Sequence, residues 1–215
     1  MKFLWPGGGV THRYGVITAP NHRDVVKDIQ LGKVWAGDLG CLQGPKFVKR
    51  VDFNKLPDWL EMMAPFAGQC LFLAGADIVG NSQATFEAYQ EFRHYFGNWP
   101  VAYVAQNGAE NLPIPDDSAA VFIAGMPMDN GGDWKDSLEA VSVIKRAQAM
   151  GKHIHIGRVN GWTRYSHFAS LVGSEDFTCD GTRVRFDGRE NTHRAYDDYE
   201  SRPKQMSLLD IERMP

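Results

Sequence analysis

The chain has 215 residues, of which 43% are hydrophobic and 12% aromatic, enough for one compact core. Its net charge of −3 excludes a generally cationic nucleic-acid coat, though not a local basic patch. No apolar run approaches the ~20 residues of a membrane span. The amino-terminal MKFLWPGGGV breaks at Pro6 and three glycines, so it does not read as a signal peptide. Cys41, Cys70 and Cys179 are odd in number and widely separated, giving neither a disulfide framework nor a metal-ligand spacing. An intracellular, cytoplasmic protein is the expectation.

Taken in order, short apolar, β-prone runs alternate with helical or polar stretches. Residues 15–20 (GVITAP) read as a strand ending in Asn21-His22-Arg23, and 33–37 (KVWAG) as a second closed by Asp38. Residues 54–66 carry Leu56, Trp59, Leu60 and Met63 at helical spacing. A strand over 71–79 has Asp77 near its end. Asn81 or Ser82 then caps a helix predicted to run through Phe96, with Phe86, Tyr89, Phe92, Tyr95 and Phe96 as its stripe. The run 101–105 ends in Gln106-Asn107-Gly108, and 121–124 in Gly125-Met126-Pro127. The spacing predicts a helix over 134–150, with Leu138, Val141, Ile144, Lys145 and Gln148 on a mixed stripe and Gly151 as its stop. Residues 153–156 alternate as a buried strand, and 157–161 form a loop bearing Arg158 and Asn160. A helix over 162–172 and a strand over 177–179 lead into Asp180-Gly181.

About seven strands at this spacing imply right-handed crossovers and a parallel sheet. A doubly wound sheet satisfies the alternation too. A polar or charged residue closes nearly every strand, however (Asn21, Asp38, Asp77, Gln106, Arg158, Asp180), and a closed barrel turns all of them toward one pocket. The expected fold is α/β, a (β/α)8 TIM-type barrel over 1–195, abbreviated at this length, with a polar C-terminal tail over 196–215.

Asp38, Asp77 and Asp180 at strand ends can divide labour, one ionised as nucleophile and another as acid or base. Gln106 offers both a donor and an acceptor to a purine-like edge, Gly125 lets a flat ligand lie against the backbone, and Arg158 can meet a phosphate bidentately. Each has a plainer reading: a helix cap or Asx turn for an Asp, a turn for Gln106-Asn107-Gly108, a rim ion pair for Arg158. His153 and His155 share one strand face but lack an evident third metal ligand, and read as core or rim residues.

The order WAGDLG, FLAGADIVG, YVAQNG, FIAGM, HIHIGRVN, FTCDGT over about 15–182 resembles the tRNA-guanine transglycosylase superfamily. Within it, the likeness is to the small, phage-type relatives associated with 7-deazaguanine modification of DNA. The resemblance implies a (β/α)8 barrel that exchanges guanine for a deazaguanine through a covalent glycosyl-enzyme intermediate. Asp180 would be the nucleophile, Asp38 the acid/base, and Asp77 the reader of the base's Watson–Crick edge. Gln106 and Gly125 would line the base pocket, while Arg158 and Asn160 would lie in the substrate-contacting loop. The zinc-binding cysteines and the RNA-binding segment of the tRNA enzymes have no counterpart after Asp180, and Leu39-Gly40-Cys41 replaces the family's Ser-Gly-Gly. DNA rather than RNA is therefore the expected polymer, with no metal or cofactor. Arg183, Arg185, Arg189 and Arg194 with His193 would help hold its backbone.

In the tail, Gln205-Met206-Ser207-Leu208-Leu209 is similar to the sliding-clamp-binding peptide of replication and repair proteins; its plainer reading is an amphipathic turn packed on its own domain. The expected activity is base exchange in DNA, in the host cytoplasm if the chain is phage-encoded. The alternatives are an N-glycosidase or deoxyribosyltransferase acting on nucleosides or nucleotides, and a non-catalytic nucleic-acid-binding barrel.

Overall fold

The computed structural model describes residues 2–5, 15–20, 26–44, 51–129, 131–160, 162–173 and 177–181. The arginines between 183 and 194, the tail over 196–215 and Asn21-His22-Arg23 lie outside the described residues. Eight strands close into one barrel in sequence order: β1 (Lys2–Trp5), β2 (Gly15–Thr18), β3 (Trp35–Gly37), β4 (Cys70–Ala74), β5 (Val101–Ala105), β6 (Ala120–Ile123), β7 (His153–Ile156) and β8 (Phe177–Cys179). Every neighbouring pair is parallel, and β1 closes the ring against β8 through Phe3↔Cys179. This is the expected TIM-type α/β fold. The sequence reading lacks β1, because KFLW is only four residues long and stops at the helix- and strand-breaking Pro6. The sheet itself is complete; what is abbreviated is the connections. Between β5 and β6 there is only a 3-10 turn, Ala109–Asn111, and α1 (Val26–Gln30) has five residues.

Period-two alternation sorts the strand residues into two cores. Leu4, Ile17, Ala36, Phe72, Ala74, Ala102, Val104, Ala120 and Phe122 fill the barrel interior. Val16, Trp35, Leu73, Tyr103, Val121, Ile154, Ile156, Phe177 and Cys179 pack outward beneath the helices. The same alternation turns Thr178, between outward Phe177 and Cys179, into the interior with His153 and His155, whose rings lie 6.0 and 5.0 Å from that of Phe72. On the outer side Trp35 packs edge-on against Trp59 and Trp99 at 5.9 and 5.7 Å and donates its indole N–H to Phe66 O, which fixes β3 and the Asp38 that follows it.

The helices predicted over 54–66, 82–96 and 134–150 are shorter than their sequence spacing predicts, while the one over 162–172 keeps its bounds. Strand β4 ends at Ala74 rather than 79. The helix predicted over 54–66 becomes α2 (Leu56–Met63) between 3-10 turns. α3 (Ser82–Phe92) starts at the Asn81 cap, whose side chain accepts from Ala84 N, and tightens into a 3-10 turn over Arg93–Phe96. The stripe predicted for 134–150 is corrected. Ser137 caps α4 (Leu138–Ala149) by accepting from Ala140 N, and Trp134 sits before it in a separate 3-10 turn. The buried face is then Ala140, Val143, Ile144 and Ala147, at i, i+3, i+4 and i+7, whereas Leu138 is 83% exposed. Two small alanines let α4 approach β6 and β7 closely, which a ranking by hydrophobicity overlooks. α5 (Trp162–Val172) packs beside α4. No helix among the described residues is long and apolar enough to cross a membrane.

This phase of α4 has a direct test. Ile144→Ala should cost about 2–5 kcal/mol of unfolding free energy by denaturant titration, and Leu138→Gln about 0.5 kcal/mol or less. A Leu138→Gln cost comparable to that of Ile144→Ala would restore the predicted stripe, which carries both residues.

Candidate active site

The carboxyl ends of the strands open into one cleft lined by Asp38, Asp77, Gln106, Gly125, Lys135, Arg158 and Asp180, with Phe122 and Val104 as its floor. Of the residues expected at the site, the structure brings Asp38, Asp77, Gln106, Gly125, Arg158 and Asp180 together here. Asn160 does not line this cleft; it is half-buried behind the β8 loop, near Gly181.

Asp180 follows β8 directly, and its side chain is 16% exposed. Oδ1 accepts from the backbone N–H of Arg158 at 2.9 Å and lies 3.5 Å from His155 Nε2. The backbone N–H of Val159 reaches the Asp180 carbonyl as well. To aim two successive N–H groups at one residue, the chain puts Arg158 at φ 58°, the left-handed region that costs a non-glycine residue about 1–2 kcal/mol. Gly157, just before it, has no room for a side chain: a Cβ would stand 2.5 Å from the Phe122 ring and 3.6 Å from Asp180 Oδ1. Burial alone would push the Asp180 carboxyl up. The His155 imidazole 3.5 Å away, the Arg158 N–H and the Lys135 ammonium outweigh it and hold the carboxyl below its ordinary value.

Asp77 goes the other way. It is buried, and that burial, reinforced by the negative charge of Asp38, raises its pKa from 3.8 to about 7 against the pull of Gln106 and Arg158. Gln106 Nε2 donates to Asp77 Oδ2 at 2.8 Å while its Oε1 accepts from Gly80 N at 3.2 Å. The glutamine therefore spends both ends of its amide inside the protein, where it orients Asp77, and is not the freely available donor–acceptor pair that the sequence suggests. Asp38 is exposed, and its Oδ1 accepts from Gly40 N at 3.1 Å, an Asx turn at the rim. Gly125 is at φ 59°, and a Cβ there would meet the Trp134 ring at 2.5 Å. Its lack of a side chain is demanded by the tryptophan behind it as much as by any ligand in front.

Two residues of the site are given no role there by the sequence. Lys135 is 2% exposed; its ammonium donates to Gly157 O at 3.0 Å and lies 4.0 Å from Asp133 Oδ2. Burial lowers its pKa to about 8, and Asp133 is itself held by Arg164 at 2.7 Å. A lysine within a helix-like run reads as a solvated face; only the 3-10 turn over Trp134–Asp136 turns it inward. His155 has a visible strand position, but its contact with Asp180 depends on the β7–β8 register, Ile156↔Cys179. Among the described residues, no group of three His, Cys, Asp or Glu side chains could hold a metal ion.

The raised pKa of Asp77 makes a stability prediction. Between about pH 4 and pH 7 the unfolded chain releases a proton that folded Asp77 keeps, so this group's contribution falls as pH rises through that window and is level above it. Asp77→Asn, which still accepts from Gln106, should be more stable than the parent at about pH 8 by roughly 1–4 kcal/mol, with the gain gone near pH 4. A difference in stability that does not change between those pH values would contradict the assignment.

No family model matches the chain, and no curated protein matches it; the resemblance to the transglycosylases rests on the motifs and their placement alone.

Proposed function

We propose that the barrel is a base-exchange transglycosylase that replaces guanine in DNA with a 7-deazaguanine. The observation that carries this reading is the opposed tuning of two carboxyls in one cleft, Asp180 held ionised and Asp77 pushed to about 7. A flipped guanine nucleotide would enter the cleft over Phe122 and Val104. Because the protein's contacts fall on Oδ1 of Asp180, Oδ2 attacks C1′. The C1′–N9 bond breaks, its electron pair leaves with guanine, and Asp38, exposed at the rim where it first takes a proton from solvent, passes that proton to the departing base. In the second half Asp38 takes the N9 proton of the incoming base, N9 forms the new bond to C1′, and the Asp180 carboxylate leaves with its pair. Ionised Asp77 accepts from the N1–H and N2–H groups of either base, with Gln106 holding its orientation. The exposed Arg158 side chain at the rim meets a phosphate. The Gln205–Leu209 peptide, similar to a clamp-binding motif, would tether the enzyme to replicating DNA.

Two measurements follow from these roles. Incorporation of labelled guanine or 7-deazaguanine into duplex and single-stranded DNA should be lost in Asp180→Asn and cut by about 100-fold or more in Asp38→Asn. Exchange unaffected by Asp180→Asn would refute the reading, and exchange only with mononucleotides would transfer it to a small-substrate deoxyribosyltransferase. By calorimetry, affinity for the free 7-deazaguanine base should rise with pH, by close to tenfold per unit below about pH 7, and level off above it, since only ionised Asp77 accepts both N–H groups. The same profile in Asp77→Asn would remove Asp77 from base recognition.

A further inference from the structure

Below the cleft, three polar side chains point into a barrel whose other described interior residues are apolar, and the reaction just described gives them no task. His155 is fully buried, its ring centroid 4.4 Å from Phe122 and 5.0 Å from Phe72. Its Nδ1 lies 2.9 Å from Thr178 Oγ1, and its Nε2 has no hydrogen-bond partner in the structure, standing 3.5 Å from Asp180 Oδ1. Thr178 Oγ1 is in turn 2.9 Å from Nε2 of His153. A line of four side chains, Asp180, His155, Thr178 and His153, thus runs down the barrel from the candidate nucleophile. The β7–β8 pairing, His155↔Thr178, builds it.

For a neutral His155 the protons along this line have one consistent order. A carboxylate only accepts, so the group facing it must be an N–H, which places the proton of a neutral His155 on Nε2. Nδ1 is then an acceptor and takes the single hydrogen of the Thr178 hydroxyl. The hydroxyl oxygen, having given its hydrogen, accepts from Nε2–H of His153. That ring is neutral because burial, reinforced by His155, pushes its pKa down to about 4. Run backwards, the chain would aim the Nε2 lone pair of the fully buried His155 at a carboxylate, a repulsion.

We propose that Thr178, backed by His153, locks His155 in the Nε2–H tautomer, and that His155 is thereby a positioning residue that aims Asp180. The catalytic half of this rests on Asp180 being the nucleophile; the tautomer does not. As in a hydrolase triad, the carboxylate selects the histidine's tautomer; here Thr178 holds that tautomer from the other side, and the histidine in return aims the carboxylate. The fixed N–H leaves Oδ1 engaged and Oδ2 facing the sugar. When the glycosyl ester breaks and charge returns to the carboxylate, a donor already stands in place.

The test combines spectroscopy without substrate and kinetics with it. Long-range 15N–1H NMR of the histidine-labelled protein at about pH 7.5 should show His155 with Nε2 protonated and Nδ1 bare. Thr178→Val, of the same shape without the hydroxyl, should mix the tautomers and lower kcat for base exchange about 10- to 100-fold, with KM changed less than about twofold and the melting temperature retained. His155→Phe should lose about 100-fold or more, and His155→Gln, whose amide N–H reaches toward the same oxygen, should regain at least about tenfold of that. A parent His155 protonated on Nδ1, or on both nitrogens, would overturn the proposal, as would a Thr178→Val protein with unchanged tautomer and kcat. A protein with the expected tautomer but no exchange activity would sink the transglycosylase reading and, with it, the positioning role, while leaving the lock itself standing.

Discussion

The end of this barrel is organised by the need to keep one carboxylate charged where little water reaches. Transfer of an unpaired carboxylate into an apolar site costs several kcal/mol, and a protein normally avoids that cost by protonating the group. Here Asp180 is held ionised by a backbone N–H at 2.9 Å, an imidazole nitrogen at 3.5 Å and the nearby Lys135 ammonium. Much of the local geometry follows from those contacts. Arg158 takes a left-handed conformation so that its N–H points at Oδ1. Gly157 lacks the side chain that would collide with Phe122. Lys135 is turned inward and tied to Gly157 O.

A second carboxyl a few strands away lives under the opposite rule. Among the described residues Asp77 has Gln106 as its one side-chain donor and Asp38 as a like-charged neighbour, so burial wins and its proton is lost only near pH 7. The two acids are chemically identical, and what separates them is the number of donors each surrounding loop supplies. Such a division suits a reaction that needs one group always negative and another able to change its hydrogen bonding to a base. The barrel provides it without any group needing to move, since β4, β5 and β8 all end at the same rim.

Most of the barrel was legible because its determinants are local. Short β-prone runs of period two, each followed by Asp, Gln or Arg, mark strand ends whatever the tertiary context, and β5, β7 and β8 fall where the alternation puts them. What was not legible depends on contacts between segments distant in sequence. The phase of α4 turns on the Ser137 cap and on packing that selects alanines over Leu138. The inward turn of Lys135 depends on Trp134 lying behind Gly125. That Gln106 braces Asp77 was not legible, because Asp77 and Gly80, far from it in sequence, meet the two ends of its amide. His155, which the sequence leaves as a core or rim residue, is fully buried, and only the register of β7 on β8 shows which polar groups it meets.

The central claim is that Asp180 forms a bond to the sugar, and the most direct measurement looks for that bond. The protein would be mixed with guanine-containing DNA, quenched in cold denaturant, digested, and the adducted peptide sequenced by mass spectrometry. The account predicts a nucleotide ester on the peptide containing Asp180, absent from Asp180→Asn and discharged when 7-deazaguanine is added before the quench. An ester on Asp38 or Asp77, or base exchange proceeding with no adduct under any quench, would contradict it.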